Sequence, residues 1–298
     1  MSNFVKPKLR IGLLLDSFNV MKWQKKVIEE VHNSNYADLD LLILNNTFNE
    51  RKSFYVKYFD WRRKVYSIFD KIDEKFHRQS ENAFELFNIE SFLSEVPRIY
   101  VEPKKTKYSD YFKDEDIQSL NKKNLDVVIR FGFRILRGEI LKIAKNGVWS
   151  YHHGDNRVNR GGPPGFWEVV YKWPYTGSVL QILNEDLDGG QVIYKSWSTT
   201  DLTSPSRNRN NMFMKSASFI PRKLEELHKK LEKINSEHDP EMNFEHELLE
   251  HLRNKFPKEY KLTIEAKKKD EPDENPEDIT PGRIGEYMGN RVDEFIDE

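Results

Sequence analysis

Apolar and polar positions along this chain follow two periods. Residues 9–15, LRIGLLL, form a short apolar run closed by Asp16 and Ser17, the length of a buried strand. Ser17 stands where a helix N-cap belongs and predicts a helix through about residue 31. A second run, DLDLLILNN at 38–46, predicts another buried strand. Two buried strands joined by a helix-length segment form a βαβ unit and predict a parallel sheet.

Residues 50–96 break this rhythm. They include YFDWRRKVYSIFDKI, whose apolar spacing of three to four predicts an inserted helical pair with aromatics on the core. The same basic-aromatic mix would also suit nucleic acid or a phosphorylated ligand, but the spacing favours packing. Further strands are predicted at 98–103 and 124–133. A short helix is predicted at 138–146, with Gly147 at its C′ position. The run GVWSYHH, 147–153, is then a strand that delivers Ser150, His152 and His153 at its C-terminal end. TGSVLQILN, 176–184, and GGQVIYKSWST, 189–199, flank the acidic turn EDLDGG and can pair as a hairpin or join the sheet separately. Residues 206–236 read as one charged amphipathic helix and 243–256 as another. Residues 266–281 are charged, Pro-punctuated and nearly free of apolar side chains, the composition of a linker, and a terminal helix could follow.

The expected fold class is therefore α/β: a Rossmann-like, mostly parallel sheet flanked by helices, with a helical insertion and a helical C-terminal extension. The expected divisions are 1–204, 205–265 and 266–298.

Composition narrows the function. In 298 residues, 37% hydrophobic and 13% aromatic content suffices for a large core. Charged residues reach 33%, but the net charge is −1, so no global field draws the chain to nucleic acid or an anionic membrane. No apolar run approaches the roughly 20 residues that span a bilayer. The N-terminal apolar run reads as a first strand, not a signal peptide. With no cysteine there is no disulfide framework, thiolate nucleophile or Cys-based zinc site. The expectation is a soluble, cytoplasmic protein with no metal.

Two apparent motifs fail. In EHELLEH, 245–251, His251 comes five residues after His246, one too late for the zinc-protease pattern. The GGPPG run at 161–165 lacks nucleotide-fingerprint spacing, and prolines supply no N–H groups to a phosphate. The stronger pair is His152, at a strand end where open α/β sheets bind ligands, and Asp188 in the LDGG turn. Each has a plain alternative reading: a packed histidine, and ordinary turn chemistry before Gly-Gly.

Order and spacing favour chemistry. The chain reads Ser150-Tyr151-His152, then Arg160-Gly161, Pro164, Trp167, Thr176-Gly177 and Asp188-Gly189-Gly190. This resembles the folate-dependent formyltransferase family, in which Asn-x-His leads into a loop ending Arg-Gly, followed by Pro, Trp, Thr-Gly and Asp-x-Gly. The likeness spans about 9–195 and is specific in 125–195. Upstream, RFGFRIL is similar to the segment that borders the family's folate pocket. Two departures stand out: Ser150 replaces the family Asn, and GDNR at 154–157 replaces Ser-Leu-Leu-Pro.

The resemblance implies 10-formyltetrahydrofolate as formyl donor and a primary amine as acceptor, on a small molecule such as an amino sugar carried on a nucleotide. It implies His152 and Asp188 as proton-handling residues, with Ser150 as the oxyanion donor. It implies Phe131, Gly132, Phe133, Ile135, Leu136, Asp186 and Leu187 around the folate. His153, Arg157, Arg160 and Gly161 would face substrate or form the loop. His153 also resembles the His-His pair of the formyltetrahydrofolate hydrolase branch, which keeps hydrolysis as an alternative. A folate- or partner-binding module that has lost catalysis through Ser150 is the other.

Overall fold

The structure, a computed structural model, describes residues 8–47, 61–77, 79–157, 162–186 and 189–237. The chain divides into two units, 1–229 and 230–298. The predicted helix at 243–256, the linker at 266–281 and the terminal segment lie outside the described residues.

In chain order the strands are β1 (Leu9–Leu15), β2 (Asn19–Met21), β3 (Ala37–Asn45), β4 (Leu86–Asn88), β5 (Arg98–Val101), β6 (Lys104–Lys105), β7 (Ser109–Tyr111), β8 (Val127–Arg130), β9 (Ile135–Arg137), β10 (Val148–His152), β11 (Tyr175–Ile182) and β12 (Gln191–Thr199). The helices are α1 (Lys22–His32), α2 (Trp61–Phe76), α3 (Asp114–Asn121), α4 (Trp167–Val170), α5 (Pro205–Ser216) and α6 (Phe219–Glu237), with a 3-10 helix at Gly138–Lys142.

Seven strands form the central sheet in the order β12-β11-β10-β8-β1-β3-β5. β10, β8, β1, β3 and β5 run parallel, while β11 is added antiparallel to β10 and β12 antiparallel to β11. This is the expected mostly parallel α/β sheet. The apolar runs at 9–15 and 38–46 become adjacent central strands because both faces are covered. On one face Leu14, Val128 and Val148 meet Ile117 and Leu120 of α3 and Phe133 in a buried cluster. On the other, α1 buries Trp23, Val27, Ile28 and Val31. The chain order reverses between β1 and β8, and the carboxyl ends of strands at such a switch point form the expected binding crevice.

Three local differences from the sequence reading have physical causes. Ser17 does not cap α1; its Oγ accepts the Asn19 N–H at 3.2 Å, turning the chain into β2. The helix begins at Lys22, where Gln24 Oε1 accepts the Met21 N–H at 2.9 Å. The helical pair expected in 50–96 is one helix, α2, among the described residues. Downstream, Asn82 and Asn88 accept the N–H groups of Phe84 and Glu90, each at 2.9 Å, and such side-chain turns compete with helix. The single helix expected at 206–236 is two. Pro221, in the first turn of α6, cannot donate to the preceding turn, so α5 ends before it.

α2 and α5 are tied together by polar groups. Asp73 Oδ2 accepts from Ser204 Oγ and from the Ser206 N–H, both at 2.8 Å, at the start of α5. Arg209 of α5 donates to both Asp70 carboxylate oxygens at 2.8 and 3.0 Å and to the Tyr66 hydroxyl at 2.9 Å. The contact that α2 makes here is polar, whereas Ile68, Phe69, Ile72 and Phe76 are exposed, so among the described residues the expected packing of this stretch on the core is corrected to a polar tie with α5.

Candidate active site at the carboxyl ends of the sheet

β10 carries the candidate residues to the carboxyl edge. Alternation along the strand puts Ser150 and His152 on one face, and Tyr151 and the residue after the strand, His153, on the other. Ser150 is paired in register with Arg130 at the end of β8, and His152 with Val179 of β11. Ser150 is buried, and its Oγ accepts from Arg130 Nη1 at 3.1 Å. The other terminal nitrogen, Nη2, donates to the carbonyls of Phe133 and Arg134 at 2.9 and 2.8 Å. Burial pulls the Arg130 pKa down, while Asp16 and Asp110 oppose this, and a guanidinium remains charged in proteins. Its Nε is buried with no hydrogen-bond acceptor among the described residues.

The RFGFRIL segment wraps this cation. Gly132 approaches the end of β1 so closely that a Cβ there would lie 2.3 Å from the Asp16 backbone nitrogen, so only glycine fits. Phe133, at φ 66°, donates its N–H to Asp16 Oδ1 at 2.9 Å. Asn45 Nδ2 donates to the same oxygen at 2.9 Å. Arg134 makes a fork with buried Asp110 at 2.9 and 2.6 Å, fixing β9 against β7. Sequence reasoning missed Arg130 and Asp16. The signal lay in the charged residue ending VVIR and in Asp16 closing LLL: both are polar groups at the ends of apolar strands.

The expected folate-facing residues divide by burial. Phe133 and Leu136 sit in the buried cluster, so their side chains serve the core. Phe131 packs edge-on to Trp23 at 5.5 Å, and Ile135 is partly exposed. Asp186 is exposed, its N–H held by Asn184 Oδ1 at 3.0 Å. The two segments do meet: Glu185 Oε1 accepts the Gly138 N–H at 2.8 Å. Arg160, Gly161, Leu187 and Asp188 lie outside the described residues.

His153 does not face the candidate site. Its ring stacks on Phe213 of α5 at 3.6 Å and 12°, and its Nε2 lies 2.9 Å from Ser216 Oγ. Trp23 packs on it edge-on at 5.1 Å. Burial, then the neighbouring His152, lowers its pKa to about 3, which keeps the ring neutral. The substrate-facing role expected of His153 is therefore corrected to packing, because strand alternation turns it toward the helices.

Arg157 pairs with Asp155 at 3.2 Å. Burial pushes the Asp155 carboxyl up, but hydrogen bonds from Arg157, Trp197 and Lys195 outweigh it and hold the group below the usual carboxylate range. Gly177 lets this segment pack on β11: a Cβ there would lie 3.0 Å from the Asp155 nitrogen and Cβ. The Thr176 hydroxyl is buried among Thr200 and Asn208, with contacts of 2.9 to 3.2 Å, so the Thr-Gly pair is structural. Among the described residues, no group of three or more His, Asp or Glu side chains could hold a metal, and no helix is long and apolar enough to cross a membrane.

No protein-family model matches the sequence, and no curated protein matches it. Solved structures similar to this chain are glycinamide ribonucleotide transformylases and formyltetrahydrofolate deformylases, members of the family its motifs resemble. Glycinamide ribonucleotide transformylase 1 from Symbiobacterium toebii is 11% identical, with a TM-score of 0.49 over 75% of this chain and 89% of its own. Phosphoribosylglycinamide formyltransferase from Anaplasma phagocytophilum is 14% identical, with the same TM-score over 75% and 89%. A formyltetrahydrofolate deformylase from Pseudomonas syringae pv. tomato is 15% identical, with a TM-score of 0.46 over 74% of this chain but 63% of that enzyme. Likenesses of this degree assign no reaction to the chain.

Proposed function

We propose that this protein is a cytoplasmic enzyme that transfers the formyl group of 10-formyltetrahydrofolate to a primary amine of a small molecule, such as an amino sugar on a nucleotide. One observation carries the reading: the buried Arg130 guanidinium, with an Nε–H that lacks an acceptor among the described residues, sits on Ser150, where the family pattern has its Asn. A buried charged donor without an acceptor is costly, and an oxyanion is the partner that would satisfy it.

The acceptor nitrogen attacks the formyl carbon, and the carbonyl electrons move onto oxygen. Arg130 stabilises that oxyanion, held in place by Ser150 and the two carbonyls of the RFGFRIL turn. This replaces a neutral amide donor by a charged one, and charge-assisted hydrogen bonds are the stronger kind. His152, two residues beyond Ser150 on the same face, takes the proton from the attacking nitrogen. Asp188 orients His152 and stabilises the imidazolium that forms, or organises a proton-carrying water. Collapse of the adduct breaks the bond to N10 of the folate, which takes the proton back. The two segments linked by the Gly138–Glu185 hydrogen bond would form the folate-side wall.

The test combines mass spectrometry of candidate amines, incubated with 10-formyltetrahydrofolate, with three variants. His152→Ala is expected to cost at least about a hundredfold in turnover, and Arg130→Met about 10²–10³-fold. Arg130→Lys keeps the charge and controls for folding. Near-normal turnover in His152→Ala sinks the mechanism. Formate release without an acceptor would make the enzyme a hydrolase, and folate binding without turnover would make it a binding module.

A further inference from the structure

Beyond His152 along the sheet lies a cavity of about 270 Å³. Gly177, in its wall, precedes by two residues the Val179 that pairs with His152. Its other walls include Asp155, Glu168, Trp173, Tyr175 and Trp197. A short turn builds it: the Trp173 N–H donates to the Glu168 carbonyl at 2.8 Å, which sets both residues at one place. Trp167, Tyr171 and Trp173 form a run of stacked rings with centroids 5.7 and 5.6 Å apart.

The unusual member is Glu168. Only 3% of it is exposed, and its Oε2 is buried with no hydrogen-bond partner among the described residues. Burial raises its pKa, opposed by its own backbone N–H. A buried carboxyl left in this way is destabilising, so the arrangement suits a ligand that supplies the missing hydrogen bond.

Charge selects among ligands. Asp155 already holds Arg157 at 3.2 Å and Lys195 at 3.1 Å, and both cations stand over the Trp197 ring, 5.8 and 5.3 Å from its centroid. An organic cation would therefore meet two cations and an aromatic face already used. An anion would meet the Glu168 carboxyl, while both local cations are engaged by Asp155. A neutral ring with apolar faces and peripheral hydroxyls meets neither obstacle. Its hydroxyls match the Glu168 carboxyl, its C–H faces match the aromatic walls, and the volume suits one ring-sized group rather than a drug-sized ligand.

We propose that this cavity binds a neutral polyhydroxylated ring, a pyranose, through the Glu168 carboxyl and the aromatic walls of Trp173, Tyr175 and Trp197. The binding claim does not require formyl transfer. Only the further link, that the ring belongs to the formyl acceptor, rests on the reading above.

Saturation-transfer NMR on the full chain tests it, with methyl glucopyranoside and N-acetylglucosamine as probes and choline and inorganic phosphate as competitors. Both pyranosides are expected to bind, Glu168→Gln to bind similarly, and Glu168→Leu at least about tenfold more weakly. Neither choline nor phosphate should displace them. If Glu168→Leu fails to fold, Trp197→Ala, at a side chain 44% exposed, carries the same expectation of loss. No pyranoside binding, displacement by choline or phosphate, or unchanged binding in the folded variant overturns the proposal. None of these results depends on folate turnover, so the two readings can fail separately.

Discussion

Two adjacent histidines on β10 and its end have opposite fates, and the pleat of one strand separates them. His152 shares a face with Ser150 at the carboxyl edge of the sheet. His153 is turned into the aromatic packing of Trp23 and Phe213. That burial has a pH signature. The folded pKa of His153 is about 3, against an ordinary 6.5, so below about 6.5 the unfolded chain takes a proton that the fold refuses. Its contribution is fully present above about 6.5 and is lost as pH falls toward about 3, by at most about 1.4 kcal/mol per pH unit. His153→Phe keeps a ring on Phe213 and removes the titration. Urea denaturation at pH 7 and pH 5 should show a smaller loss of stability in the variant, and an equal loss would contradict the assignment.

At the scale of elements, the Thr-Gly pair of β11 shows why a motif was readable while its purpose was not. Gly177 stands at its expected position, but its service is to admit the Asp155 backbone against the strand. Gly177→Ala would place a methyl 3.0 Å from the Asp155 nitrogen and 3.1 Å from its Cα. An overpacked contact of this kind costs about 1–3 kcal/mol. Denaturation should show that loss, whereas unchanged stability would mean the segment yields freely. The apolar runs at 9–15 and 38–46 were legible because strands covered on both faces read as continuous apolar stretches. Arg130 was not, because a lone arginine at a strand end looks like an ordinary solvated terminus until Ser150 and two carbonyls converge on it. Residues 206–236 looked like one helix because amphipathic periodicity continues across Pro221, although the backbone hydrogen bonds cannot.

Across the whole molecule, the large sheet was legible and the small ones were not. β6, β7 and β9 run two or three residues each, too short for any period, and a long-range pair, Arg134 with Asp110, fixes β9 against β7. The contact between α2 and α5 is likewise non-local: Asp73 and Ser206 are 133 residues apart in sequence. Because the Asp73 carboxylate accepts from the Ser204 hydroxyl and the Ser206 N–H at the start of α5, neither helix can leave without stranding the other's polar groups. α2 and the first turn of α5 should therefore open as one cooperative unit, at a free energy below that of global unfolding. In hydrogen-exchange mass spectrometry, Asp73→Ala should speed exchange in both segments by about tenfold or more and leave β1 and β3 protected. Acceleration in α5 alone would show that the helices open independently.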